Sequence, residues 1–224
     1  MRNFWYPLLD LVYPKRCPGC HTPSPGICES CKSYWNKTPV AITLNKSNVS
    51  APNNFFVHSV AQYRDEVRSV LLAYKENGER EAGKVLTQAL LKARLGINND
   101  SMCTFVPIPS NPKSIRRRGR DFMLDLCGEV SVQSGDQVLP ILKVNREVID
   151  QSKLNEQQRS QNLVGAFNCV SKNLHLTEGS PIILVDDLLT TGATLREAVR
   201  ALRQQGVIPI GAITAAHTGL SRHK

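Results

Sequence analysis

Two stretches of this chain hold residues whose types and spacing could do chemistry. The first is I-I-L-V-D-D-L-L-T-T-G-A-T, from Ile182 to Thr194. Its apolar start predicts a short buried parallel strand, with Asp186 and Asp187 emerging at the carboxyl end. Adjacent carboxylates repel each other, and hydroxyl donors or a divalent cation relieve them. Thr190, Thr191, Gly192, Ala193 and Thr194 follow and lead into a helix. The capping-box pattern Thr194-Leu-Arg-Glu197 sets the start of that helix at Thr194. Threonine hydroxyls, a glycine and unpaired amides at a helix start make a phosphate cradle. An acidic pair for sugar hydroxyls and metal, beside a cradle for a phosphate monoester, describes a ribose 5-phosphate site. An acidic strand end with an ordinary threonine cap accounts for either half alone, but not for the joint pattern.

The second stretch is C17-P-G-C20, followed after seven residues by C28-E-S-C31. Two C-x-x-C pairs at short range are the spacing of a zinc site. Cys17, Cys20, Cys28 and Cys31 would close a tetrahedral shell with no position for water, so the metal would be structural. A segment this small cannot fold on apolar burial alone, and metal affinity would supply its folding energy. His21 could replace one sulfur. A redox C-x-x-C or two disulfides are the alternatives, but no thioredoxin-like unit surrounds the pairs. Cys103, Cys127 and Cys169 fall in predicted elements and read as small apolar core residues.

A third, basic stretch follows V-P-I-P at 106–109. Ser110 opens it, and Lys113, Arg116, Arg117, Arg118 and Arg120 put five cations in eight positions. The next helix is expected to begin near Gly119 or Arg120. Cations at a helix N-terminus oppose its macrodipole, which an anion bound there would relieve. Pyrophosphate is the natural candidate. A solvated basic face or a nucleic-acid patch are the alternatives. Residues 146–163 are long, polar and poor in apolar side chains, which suits a mobile lid or an ordinary surface loop.

These residues need a scaffold. The 224 residues allow one ordinary domain plus a small attachment. With 41% hydrophobic and 21% charged residues, the composition is that of a globular protein. No stretch approaches the ~20 apolar residues of a spanning helix, so no membrane insertion is expected. The net charge of +9 favours acidic partners. The N-terminus lacks a signal-peptide pattern, which points to a cytoplasmic chain with reduced thiols. Residues 1–44 form the cysteine module, and the polar, asparagine-rich 45–54 reads as a linker. From 55 to 224, apolar runs alternate with helical faces. Strands are expected at 55–63, 102–109, 138–144, 181–187 and 207–215. Helical faces carry Val67, Val70, Leu71 and Tyr74, then Ala82, Val85, Leu86, Ala89 and Leu90. Two more carry Met123, Leu126, Cys127 and Val130, and Leu195, Val199 and Leu202. Alternation of this kind predicts an α/β fold with a parallel sheet, and chemistry beyond the carboxyl ends of its strands.

The 182–194 segment closely resembles the PRPP-binding motif of type I phosphoribosyltransferases. Other motifs extend the likeness: the cysteine module, V-P-I-P, R-R-R-G, D-Q-S-K-L ahead of Arg159 and Asn162, and G-A-F at 165–167. In this order they resemble the ComF/GntX family of phosphoribosyltransferase-like proteins across nearly the whole chain. The resemblance implies a type I phosphoribosyltransferase-like parallel sheet flanked by helices, with a small four-cysteine zinc module at the N-terminus. It implies that Asp186 and Asp187 bind the ribose of PRPP and that Thr190–Thr194 hold its 5-phosphate. Ser110 to Arg116, with Lys113, would be the pyrophosphate loop, and 148–159, with Gln151 and Arg159, the lid. Zn2+ would be structural and Mg2+ would accompany PRPP. Some purine-salvage relatives carry aspartate, a candidate base, at the position of Thr190, and threonine does not act as a base at neutral pH. The family is linked to DNA uptake in natural competence. Two functions follow as expectations. One is phosphoribosyl transfer to an acceptor that the family name does not specify. The other is a non-catalytic adaptor that binds PRPP, single-stranded DNA or DNA-uptake proteins.

Overall fold

The computed structural model describes residues 15–44, 55–145, 165–170 and 179–219. In chain order come α1 (Glu29–Ser33), β1 (Val40–Thr43), β2 (Phe56–Gln62), α2 (Asp65–Asn77), α3 (Arg80–Leu95), β3 (Thr104–Pro107) and α4 (Pro112–Arg118). Then follow α5 (Phe122–Ser134), β4 (Gln137–Val138), β5 (Leu142–Val144), β6 (Phe167–Cys169), β7 (Ile182–Leu189), α6 (Ala193–Arg203) and β8 (Gly211–His217). The main sheet has the order β1-β2-β8-β7-β3-β4, and β5 pairs with β6 in a separate two-stranded sheet. Only β1 runs antiparallel to its neighbour in the main sheet; the other pairs are parallel.

β7 lies inside the sheet between two parallel neighbours, which is why its sequence is apolar without a break up to the acidic pair. Successive side chains point to opposite faces. Ile183 and Val185 join Phe105 and Ile213 in a core built with α2, α3 and α5. Ile182 and Leu184 join Val106, Ala212 and the buried stripe of α6, Leu195, Val199 and Leu202. The first core also takes in Cys17, Ile27, Cys31 and Trp35. The cysteine segment therefore packs on the outer face of α2 rather than standing apart.

The parallel α/β architecture agrees with the sequence reading, while several boundaries differ. The predicted helix start near Gly119 is instead a helix end. Asn111 caps α4 by accepting from the Lys113 N–H at 2.9 Å, Pro112 occupies its first position, and Gly119 (φ 71°) terminates it. Asp121 then caps α5 by accepting from the N–H groups of Met123 and Leu124. The arginines at 116–118 thus occupy the last turn of α4, where exposed carbonyls favour cations. An opposed macrodipole is not the reason for an anion there. The strand expected at 138–144 breaks at Pro140 into β4 and β5, which belong to different sheets. The last strand begins only at Gly211, with Ile208 and Ile210 exposed ahead of it. Helix α6 begins at Ala193, not Thr194, and the capping box does not form. Glu197 instead accepts from the Phe167 N–H at 3.3 Å and pairs with Arg200 at 2.7 Å.

Candidate functional site

The acidic pair is delivered by β7. Ile182–Val185 are buried and laddered on both sides, so the backbone is fixed up to the pair. The strand runs on through Leu188 and Leu189, held by Ala216 and His217 of β8. The Asp187 N–H donates to Asp186 Oδ1 at 2.9 Å, and Lys75 Nζ donates to Asp187 Oδ2 at 2.9 Å. Burial, with the Asp187 charge added, pushes the Asp186 carboxyl well above the usual carboxylate range. Burial also opposes the charge on Lys75, but the two carboxylates outweigh it and hold the ammonium above its ordinary value. Lys75 comes from the last turn of α2, and its Nζ lies 4.6 Å from the centroid of the Phe122 ring. The Arg118 guanidinium lies 5.0 Å from the same centroid. An ammonium, a ring and a guanidinium from α2, α5 and α4 therefore back the acidic strand end.

The basic segment divides its cations between two tasks. Arg117 and Arg118 share Glu76 of α2 at 2.7 and 3.1 Å. Arg120 pairs with Asp125 at 2.8 Å and donates to the Tyr74 carbonyl at 3.2 Å. These three hold α2, α4 and α5 together. The Arg118 side chain is 4% exposed, and its Nε has no hydrogen-bond partner among the described residues. Lys113 and Arg116 lie on the exposed side of α4. Ser110 donates to Asp121 Oδ1 at 3.1 Å. Burial pushes the Cys127 thiol up, and the charges of Asp121 and Asp186 add to that effect.

The loop after β7 turns its carbonyls toward the protein. The Leu189 carbonyl accepts from the Thr218 N–H at 2.8 Å, and that of Thr190 from the Thr218 hydroxyl at 3.4 Å. The Thr191 carbonyl accepts from Arg196 Nη2 at 3.0 Å, and its hydroxyl accepts from the Ala193 N–H at 3.3 Å. Gly192 heads α6 with φ 73° and offers no side-chain cap. A Cβ there would overlap Leu44 Cδ1, so both the backbone and the space require glycine. The Thr191 hydroxyl takes the Ala193 N–H, and the inward carbonyls together with the dipole of α6 leave the start of the helix electropositive, which suits an anion. The lid residues Gln151 and Arg159 fall outside the described residues.

The four cysteines converge as their spacing predicts. The sulfurs of Cys17, Cys20, Cys28 and Cys31 all lie within 4.8 Å of one another, and those of Cys20 and Cys28 are 3.5 Å apart. That is too long for a disulfide and close to the edge of a tetrahedron with metal–sulfur bonds of about 2.3 Å. All seven cysteines are free thiols. The Thr22 hydroxyl, 3.0 Å from Cys20 Sγ, holds that thiol down at about 6. Burial pushes Cys17 up, but the amides of Cys20, Cys28 and Gly19 outweigh it and hold Cys17 below its ordinary value. Burial and then the neighbouring thiols push Cys31 up, which a cation at the centre would reverse. The donor set fits a metal ion with a closed shell. Gly19 is required by close packing: a Cβ would lie 2.7 Å from Cys31 Sγ and 3.4 Å from Val70 Cγ2.

Sequence reasoning missed Lys75, Phe122 and Leu44. Leu44 and Phe122 read only as apolar residues. Lys75 reads as a surface cation at a helix end, and its partner lies 112 residues away. An acidic pair without a local cation was the one signal pointing to such a partner.

Comparison with known proteins bears on this arrangement. The phosphoribosyl transferase domain family matches residues 129–223, a span that includes β7, α6 and β8. The competence protein ComFC of Bacillus subtilis (strain 168) is 26% identical over 192 residues, which cover 85% of this chain and 72% of that protein. The adenine phosphoribosyltransferase structure from Leishmania donovani aligns with a TM-score of 0.39 at 10% identity, covering 88% of this chain and 86% of that one.

Proposed function

We propose that this ComF-like protein, which carries a phosphoribosyltransferase domain, binds PRPP with Mg2+ and transfers its 5-phosphoribosyl group to an acceptor. One observation carries the reading. The acidic pair stands two residues before the end of β7, and a short loop, Thr190–Gly192, joins that strand to the glycine-headed start of α6. Asp186 and Asp187 take the ribose hydroxyls, and the amides and hydroxyls of Thr190–Thr194 grip the 5-phosphate. Ser110, Lys113 and Arg116 receive the diphosphate, and Gln151 and Arg159 belong to the lid that excludes water. Magnesium, carried in on the diphosphate, would neutralise the leaving group. The bond from C1 to the diphosphate oxygen breaks with its electron pair leaving on pyrophosphate, and the acceptor supplies the pair for the new bond. The protein's part is positioning and charge neutralisation. Cys17, Cys20, Cys28 and Cys31 hold a structural Zn2+. Likeness to a competence protein supports a place in DNA uptake.

Calorimetric titration with PRPP and Mg2+ tests the reading. The wild type should bind, and Asp186→Asn with Asp187→Asn should weaken binding by about 100-fold or more, two charge-assisted contacts being lost. Unchanged binding by the double variant sinks the site assignment.

A second reading, an adaptor that binds single-stranded DNA, rests on a different place. A cleft of about 230 Å3 lies between the cysteine module and the end of β2, lined by Tyr34, Lys37, Gln62, Tyr63 and Arg64. The Arg64 guanidinium sits 4.2 Å over the Tyr34 ring and pairs with Glu66 at 2.7 Å, so a base or phosphate would bind here by displacing those partners. This reading predicts salt-dependent DNA binding that survives loss of Asp186 and Asp187 and weakens with Lys37→Gln plus Arg64→Gln.

A further inference from the structure

Lys75 has no place in the sequence pattern and none in the roles assigned above, yet it ion-pairs directly with the acidic strand end. Its side chain is 33% exposed and that of Asp187 14%, so their 2.9 Å contact is largely shielded from water. Burying an ammonium is costly, and an apolar side chain at the end of α2 would pack against Phe122 without that cost. The geometry shows what the charge accomplishes. Lys75 takes Oδ2 of Asp187, while the Asp187 N–H takes Oδ1 of Asp186. Each carboxylate of the pair thus has one oxygen fixed from the protein side, and the two side chains also interact with each other. The ammonium is itself held from behind by the Phe122 ring, which Arg118 faces as well. Arg118 is fixed in turn by Glu76, the residue next to Lys75 on α2.

We propose that Lys75 is a positioning residue of the ribose site: it clamps Asp187 through one oxygen so that the other faces the sugar hydroxyls, and it reaches the ligand only through that carboxylate. This rests on the reading of the 182–194 segment as a PRPP site. Phe122 and Arg118 set the height of the ammonium, so the clamp is a property of three helices converging on one strand end. The substrate class it serves is a pentose 5-phosphate with free ring hydroxyls. The diphosphate is handled elsewhere.

The test uses the full-length protein with its metal and three probes: PRPP with Mg2+, ribose 5-phosphate, and inorganic pyrophosphate with Mg2+. Lys75→Met keeps length and packing against Phe122 and removes the charge. It should weaken PRPP and ribose 5-phosphate by the same factor, roughly tenfold to 100-fold. Pyrophosphate binding should stay within about twofold of wild type. Lys75→Arg should restore most of the loss, which a purely structural role would not require. Asp187→Asn should weaken binding similarly, and adding Lys75→Met to it should cost nothing further. Equal loss of pyrophosphate binding would mean direct contact with the leaving group and would overturn the proposal. So would additive losses in the double variant, or wild-type PRPP affinity in Lys75→Met. If Lys75→Met does not fold, Lys75→Gln takes its place against Lys75→Arg under the same criteria. A wild-type protein that does not bind PRPP and Mg2+ overturns the site reading itself, a result separate from any effect at residue 75.

Discussion

The four-cysteine module and the acidic strand end are both clusters of ionisable groups, but they are built on opposite principles. The module gathers four like donors from 15 residues of contiguous chain, between Cys17 and Cys31, and the donors point inward at one another. Its chemistry is complete once a cation closes it. The strand end takes two carboxylates from β7 and a cation from α2, with Arg118 of α4 and Phe122 of α5 behind them. It balances its charge only in part, because Asp186 remains pushed above the usual carboxylate range. A carboxyl held at that electrostatic cost marks a candidate binding site.

The comparison can be broken most decisively at the module. Replacing Cys17 and Cys31 with serine should abolish metal binding, measured as zinc per chain. It should also unfold the segment, since structural zinc supplies on the order of 10 kcal/mol to such units. Because Cys17 and Cys31 share a core with Val67 and Val70, the melting temperature of the whole chain should fall with it. An unchanged melting curve would show that the segment owes nothing to a metal.

Gly192→Ala should have the next largest effect. The strained φ and the Leu44 overlap together should cost roughly 1–3 kcal/mol of stability and should weaken PRPP binding along with it. A variant with wild-type stability and affinity would remove the phosphate-loop assignment.

The pH dependence distinguishes the two regions more finely. The pKa of Asp186 is raised in the folded state, so the protonated carboxyl favours folding. That contribution is whole below the unfolded value of about 3.9 and is lost as pH rises through the elevated folded value. Asp186→Asn should therefore flatten the decline in stability above about pH 4, as followed by denaturant unfolding across a pH series. An unchanged slope would mean that Asp186 is not the group responsible.

The smallest effects concern two neighbours that share one partner. Arg117→Ala removes an exposed pair with Glu76 and should change stability by no more than about 1 kcal/mol. Arg118→Ala removes a buried side chain from Phe122 and Glu76 and should cost more. Equal costs, measured by denaturant unfolding, would mean that burial against Phe122 adds nothing to the Arg118 pair beyond what exposed Arg117 gains from the same carboxylate.

What the sequence disclosed followed from locality. Two C-x-x-C pairs, an apolar run ending in two aspartates, and a Thr/Gly loop are short-range patterns; the four sulfurs converge as their spacing implies, while the strand runs two residues past the aspartates and the helix starts at Ala193 without its capping box. The alternation of strands and helices was equally readable, because burial on both faces leaves an unbroken apolar run such as Ile182–Val185. Boundaries were less legible. The strand at 138–144 fails because Pro140 lets the chain leave one sheet for another. The helix misplaced at Gly119 shows that one glycine can close a helix or precede one, and the capping at Asn111 and Asp121 decides between them. Lys75 was not legible at all, since nothing local distinguishes a lysine that will meet a carboxylate 112 residues later from one that meets water.

The seating of the cysteine segment on α2 has a consequence for the history of such chains. Gly19 leaves no room for a side chain between Cys31 and Val70, so the thiolates and the helix beneath them are one packing problem. A descendant that surrendered its metal could not simply shed the first forty residues. It would have to repaint Val70 with a polar side chain, or recruit another cover, before the remaining domain could avoid sticking to its neighbours.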